Sequence, residues 1–290
     1  MGTTIESVGV SGGGLRHRTS ALAHADTALR HCLDAAGVGP GDVDLLVNAG
    51  LYRDRNLGEP ALAALIQDDV HLNAEDPHPG THGTFSFDIT NGSCGALSAL
   101  QIVDGFLRAG TIDRAVVVTS DASPGHGLTR DFPFAPAGAA ALCGWRPGHV
   151  GLGSFRWLSR PDDGDLFTST VRFEDGHNVL RFEIHGEFPS RAGAVAAKVA
   201  DEVMSEAGLT PSLLDLAVVA PGDPAFVDAF SAATGIRAEI IAAADPLVHT
   251  AGFLGALRAA QDSGRMPSGS AVLFAAAAAG ITAGAVLYQA

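Results

Sequence analysis

Apolar residues fall along the chain in two patterns. Short continuous runs, such as Leu45–Val47, Ala115–Thr119, Leu216–Val219 and Ala271–Phe274, lack the alternation of a half-exposed strand. They predict strands buried on both faces of a sheet. Longer stretches, Ala21–Ala35, Ser93–Ala109, Ala194–Glu206 and Ala251–Asp262, carry small and apolar residues at helical spacing and predict helices. Each half of the chain reads strand, helix, strand, helix, strand, which is an α/β pattern.

The two halves also resemble each other. Residues 36–47 align without a gap with residues 207–218. In both, a helix runs into Ala-Gly, where the glycine can take the left-handed cap, and a Pro turn, an Asp and a buried strand follow. A second pair keeps the same order: helix 93–109, closed by Gly110, leads into strand 115–119, and helix 251–262, closed near Gly264, leads into strand 271–274. Units this long are too large for solenoid repeats and fit a duplicated domain. Pro147, Gly148, Pro161, Asp162, Asp163 and Gly164 cluster between them. The expected halves are therefore 1–155 and 156–290.

Composition narrows the class. Of 290 residues, 47% are hydrophobic and 17% charged, which supports a large core and excludes disorder and coiled coil. The net charge of −14 argues against a nucleic-acid partner. The longest apolar run, Ala271–Ala279, has nine residues, short of the ~20 of a membrane span. The first residues lack the basic-then-apolar order of a signal peptide. Cys32, Cys94 and Cys143 make no disulfide framework. A cytoplasmic protein with free thiols is expected. Ser11-Gly12-Gly13-Gly14 does not fit a dinucleotide fingerprint and reads as a turn.

Candidate chemistry centres on Cys94. Strand Phe85–Ile89 enters a tight turn at Asn91-Gly92, and Cys94 follows at the first turn of a helix. The free N–H groups and partial positive charge of a helix start favour a thiolate, so a lowered Cys94 pKa is expected. Gly92 and Gly95 leave room for a substrate carbonyl beside the sulfur, the setting of a nucleophile. Cys32, inside an amphipathic helix, and Cys143, beside the alanines 139–141, read as core.

The segment Asp88-Ile89-Thr90-Asn91-Gly92-Ser93-Cys94-Gly95-Ala96-Leu97 resembles the nucleophile segment of the thiolase superfamily, in particular of its type III β-ketoacyl-ACP synthases. Val116–Asp121, Phe134–Ala141 and Ala277–Ala285 resemble further segments of that family. The resemblance covers most of the chain. It implies a thiolase-like α/β fold of five αβαβα layers made of two duplicated βαβαβ halves. It also implies a dimer through the strand near Phe85–Ile89, of two copies or with a partner subunit.

The family's Cys-His-Asn set is broken here. Gly222, in Pro221-Gly222-Asp223, stands at the histidine position, and His249 stands at the asparagine position. Decarboxylative condensation needs two neutral donors on the enolate oxygen, which Gly222 and one imidazole do not supply. Acyl transfer needs less. The resemblance assigns Cys94 as nucleophile, His249 as the facing base, and the backbone N–H groups of Cys94 and of Ala279 or Gly280 as the oxyanion hole. Asp223 and His126 are possible auxiliaries, and Phe132, Phe134, Phe188 and Phe253 candidates for an acyl tunnel.

No permanent cofactor and no metal are expected; His71, His78 and His82, with Glu75 and Asp76, read as a solvated loop. The donor implied is an acyl-phosphopantetheine, on acyl carrier protein or coenzyme A, and the acceptor a small molecule. The family segment that grips coenzyme A, between the first strand and first helix, is almost absent, which favours a carrier protein; Arg53, Arg55, Arg191 and Arg258 are candidate contacts by charge. The expected function is acyl transfer to a hydroxyl, amine or thiol in lipid, polyketide or other secondary-metabolite biosynthesis. A condensing enzyme with a rearranged triad, a thioesterase and a non-catalytic partner subunit are the alternatives.

Overall fold

The computed structural model describes residues 2–12, 20–73 and 83–290. The elements are β1 (Gly2–Gly12), α1 (Ala21–Ala36), β2 (Leu45–Asn48), α2 (Leu62–Val70), β3 (Phe85–Asp88), α3 (Gly95–Arg108), β4 (Arg114–Asp121), β5 (Ala137–Arg146), β6 (Gly151–Leu152) and β7 (Arg156–Ser159). They continue with β8 (Phe167–Glu174), β9 (His177–Ile184), α4 (Phe188–Glu206), β10 (Leu216–Ala220), α5 (Pro224–Thr234), β11 (Glu239–Ile241), α6 (Gly252–Asp262), β12 (Ala271–Ala278) and β13 (Thr282–Gln289).

Two mixed sheets carry the fold. The first runs β1-β5-β4-β2-β3; the second runs β11-β10-β12-β13, with β6 and β7 both on β13. β2 is parallel to β3 and β4, as β10 is parallel to β11 and β12. β5 and β13 then return antiparallel to β4 and β12. One topology is thus used twice, as the sequence repeat suggests. The chain joins the second sheet already at β6, ahead of the break expected at 155/156.

Alternate residues of the buried strands face opposite layers. In β4, Ala115 and Val117 face α3 and α6, while Val116 and Val118 face α1 and α2. In β12, Val272, Phe274 and Ala276 face the same central helices, while Leu273, Ala275 and Ala277 face α4 and α5. This period of two with apolar residues on both faces is why the strands read as unbroken runs. It yields five layers: α1 and α2, a sheet, α3 and α6, a sheet, α4 and α5.

Local signals set the helix ends. The Ser20 hydroxyl accepts from the Ala23 N–H at the start of α1, and Gly37 closes that helix at φ 65°. Helix α4 starts at Phe188, earlier than the expected Ala194, because Pro189 is tolerated in a first turn. The β8–β9 hairpin was not foreshadowed by an apolar run, since most of its side chains are exposed.

Candidate active site

Helices α3 and α6 begin side by side between the sheets, and their starts carry the two principal candidates. Cys94 ends a 3-10 turn, Gly92–Cys94, that feeds directly into α3. Gly92 sits at φ +47°, and a methyl group built on it would lie 3.3 Å from the Ala278 Cβ and 3.5 Å from Nε2 of His249. Glycine is therefore required for conformation and for clearance. The same measurement shows that the imidazole of His249, which precedes α6, faces the turn that carries Cys94.

Asp121, at the end of β4, holds His249 in place. Its Oδ2 lies 3.3 Å from His249 Nδ1 and accepts from the Thr250 N–H at 2.8 Å and the Thr250 hydroxyl at 2.7 Å. Its Oδ1 accepts from the N–H groups of Leu51 at 3.2 Å and Tyr52 at 2.8 Å. Burial alone would push this carboxyl up. Hydrogen bonds and charge from His249, with those of Thr250 and the Tyr52 backbone, outweigh it and hold the carboxyl below its ordinary value. With Nδ1 on the carboxylate, Nε2 is the ring nitrogen that faces Gly92.

Sequence reading missed Asp121 as a site residue. The only signal was the Ser-Asp end of its strand, and its partner is 128 residues away. Aromatic rings enclose the imidazole: Phe134 stacks on it at 4.2 Å and Tyr52 at 5.5 Å. Phe132 and Phe182 pack edge-on against Phe134.

The expected lowering of the Cys94 pKa is corrected by the structure. Cys94 is fully buried, and burial pushes its thiol well above the ordinary range; a backbone hydrogen bond from Gly284 offsets only part of this. The helix start exerts its local field, but removing the thiolate from water dominates. The sulfur donates to the Thr282 carbonyl at 3.3 Å, on the strand after the hairpin Ala279-Gly280-Ile281. At rest Cys94 is a neutral thiol.

The remaining candidates separate. The Cys94 N–H, expected in an oxyanion hole, donates to the Asn91 carbonyl at 2.9 Å. Ala279 is exposed at the hairpin tip and Gly280 adopts φ +70° beside it. Asp223 is not brought to His249: its carboxylate caps α5 by accepting from the Ala225 N–H at 2.8 Å. His126 is exposed in the loop after β4. Gly222 packs so closely that a Cβ there would lie 2.7 Å from the Ala243 carbonyl, so the position has no room for a side chain.

Of the tunnel candidates, Phe132 and Phe134 belong to the cluster at His249. Phe188 packs on Phe167, whose ring lies 6.3 Å from that of Phe134, and Phe253 packs on Phe274. Arg53 pairs with Asp88, Arg191 with Asp163, and Arg258 with Asp262. His71 ends α2 at φ 59°, while Glu75, Asp76, His78, His82 and the short segment 13–19 lie outside the described residues. Among the described residues no group of three or more His, Cys, Asp or Glu is placed to hold a metal, and no helix is long and apolar enough to cross a membrane.

The chain matches no family model. It is 26% identical over 290 residues to β-ketoacyl-[acyl-carrier-protein] synthase III of Chelativorans sp., covering 93% of this chain and 84% of that protein. The crystal structure of 3-oxoacyl-[acyl-carrier-protein] synthase III from Aquifex aeolicus superposes with a TM-score of 0.83 at 17% identity, covering all of both chains. The priming β-ketosynthase of the R1128 polyketide pathway gives a TM-score of 0.81 at 18% identity, covering 99% of this chain and 96% of that one. The chain is a thiolase-fold protein similar along its length to the type III β-ketoacyl-ACP synthases.

Proposed function

We propose that this thiolase-fold chain is an acyltransferase in which Cys94 carries the acyl group and His249, held by Asp121, moves the protons. The observation that carries this reading is the buried Asp121–His249 pair, with Nε2 facing the turn of Cys94. An arriving acyl thioester displaces the Thr282 carbonyl from the sulfur. His249 Nε2 takes the thiol proton and Cys94 attacks the thioester carbonyl. The tetrahedral intermediate collapses to acyl-Cys94, and the departing pantetheine thiol takes the proton from His249. In the second half an acceptor hydroxyl, amine or thiol gives its proton to Nε2 and attacks acyl-Cys94. The Cys94 thiol leaves with that proton. Backbone N–H groups of the Ala279–Gly280 turn, and of Cys94 once it leaves Asn91, hold the oxyanion.

The donor is an acyl-phosphopantetheine, on acyl carrier protein or coenzyme A, and the setting is lipid, polyketide or secondary-metabolite biosynthesis in the cytoplasm. Condensation is disfavoured because Gly222 supplies no donor and has no space for one. The working unit is a dimer along β3, an edge strand with Phe85 59% exposed and no described strand on its outer side.

The test is intact-protein mass spectrometry after mixing with a panel of acyl-carrier and acyl-coenzyme A thioesters. An acyl mass gain that disappears in Cys94→Ala supports the reading. No gain from any donor overturns it in favour of a non-catalytic partner subunit, to be sought by co-purification.

A further inference from the structure

Cys94 is fully buried and His249 nearly so, so no acyl arm reaches them without movement of a covering element. The β8–β9 hairpin supplies part of that cover. Phe182 of β9 packs against Tyr52 at 5.2 Å and Phe134 at 5.7 Å, the two rings that stack on His249. The far part of the hairpin leaves the core: Val171 and Phe173 are 55% and 76% exposed. The place of Phe182 against these rings therefore depends on how β9 is anchored near Leu180.

Asn56 makes that anchorage. Its side-chain amide donates to the Leu128 carbonyl at 2.9 Å, in the loop after β4, and to the Asn178 carbonyl at 2.7 Å, in β9. The Leu128 carbonyl also accepts from the Leu180 N–H at 2.9 Å, so one amide joins both sides of the seam. Both acceptors are carbonyl oxygens, so the position needs an NH2 group. The turn that presents it is costly. Arg55 and Asn56 are consecutive non-glycine residues at φ 57° and 53°. They keep this left-handed conformation because their contacts over-determine it: the Arg55 N–H donates to the Pro124 carbonyl at 2.8 Å, and the Asn56 N–H to the Arg53 carbonyl at 3.2 Å. The same segment is tied to the site, since the N–H groups of Leu51 and Tyr52 bind the carboxylate of Asp121.

We propose that Asn56 is a positioning residue whose amide clasps the β8–β9 hairpin against the aromatic rings at His249, so that release of the clasp uncovers the site to the acyl-phosphopantetheine donor. The inference rests on His249 as the base of the acyl-transfer reading. A strained turn suits this role because its bonded and released conformations are close in free energy, and a pair of hydrogen bonds decides between them.

The test reads the hairpin and the imidazole without any acyl donor. Hydrogen exchange of the Leu180 N–H reports the hairpin. Diethyl pyrocarbonate modification of His249, followed by peptide mass spectrometry, reports the site, with exposed His149 as internal standard. Asn56→Gly keeps the left-handed backbone and removes the clasp. Asn56→Asp keeps the shape and turns a carboxylate toward the two carbonyls. Asn56→Gly is expected to raise both rates about five-fold, the share of one neutral hydrogen bond, and Asn56→Asp at least as much. Exchange of the Val117 N–H in β4 should stay as in the wild type, whereas a merely structural role would raise it equally. Wild-type His249 rates in both variants overturn the clasp, as does faster exchange at Leu180 without faster modification of His249. Absence of acyl-Cys94 in the wild type would overturn the acyltransferase reading while leaving the exchange and modification rates as they are.

Discussion

The two sheets are built alike, yet their corresponding strand ends differ in chemistry. β2 ends in buried Asn48, whose amide reaches Asp88 at 3.0 Å, and β4 ends in buried Asp121. Their counterparts end in Ala220-Pro221-Gly222 and in Ala278-Ala279. The first half therefore ends its strands in polar side chains, and the second brings backbone, the imidazole of His249 and the hydroxyl of Thr250, both on Asp121. The difference teaches that the site belongs to neither half. The proposed nucleophile and the carboxylate come from one and the proposed base from the other, across paired helix starts. A duplicated scaffold allows this because both halves aim helix N-termini at the same place, whereas the side chains there are free to diverge.

The comparison can be broken most severely at the imidazole that the second half contributes. His249→Ala is expected to slow acyl-Cys94 formation by about 10²- to 10⁴-fold, the usual contribution of a general base, with the melting temperature retained. Equal rates in a stopped-time mass assay would remove His249 from the chemistry.

Gly222→His asks whether the second half can regain the family's side chain. With only 2.7 Å between a Cβ and the Ala243 carbonyl, the variant is expected to lose about 1–3 kcal/mol in urea unfolding, the cost of overpacking. It should gain no malonyl decarboxylation. A stable, decarboxylating variant would show that the C-terminal half tolerates what its packing forbids.

Asp223→Ala separates a cap from a catalytic auxiliary. Loss of the bond to the Ala225 N–H is expected to cost about 1 kcal/mol of stability. The acylation rate should stay unchanged; a drop of ten-fold or more would return Asp223 to the site.

The smallest effect lies far from the site, where α1 packs on α2. Burial, with the neighbouring Asp69 carboxyl, pushes Asp26 up to about 7. The unfolded chain releases this proton near the ordinary carboxylate value of about 4, so between those values the folded state binds more protons. Asp26 then stabilises below about pH 4 and loses that contribution as pH rises toward 7. Asp26→Asn should flatten the decline, and its melting temperature relative to wild type should rise from pH 4 to pH 8. Parallel curves would show that Asp26 titrates normally.

Much of this was legible in the sequence because buried parallel strands and capped helices write themselves locally. The run Val116–Val118 and the Ala-Gly helix ends at 36–37 and 207–208 needed no tertiary information. Cys94 was legible from its strand, turn and helix. Its protonation state was not, since the field of a helix start is local and burial is a property of the assembled layers. Asp121 became visible only when β4 and the start of α6 met. The β8–β9 hairpin was hidden because strands exposed along most of their length leave no apolar run.

The measurement that tests most directly whether Asp121 acts through His249 on Cys94 is a double-mutant cycle. The rate of acyl-Cys94 formation would be followed by intact mass in wild type, His249→Ala, Asp121→Asn and the double variant. The expected result is strong non-additivity: the double variant is no slower than His249→Ala, because a carboxylate without its imidazole contributes nothing further. Losses that multiply would contradict it, showing that the two residues act independently and that the pair joining the halves is not the acid–base unit of the site.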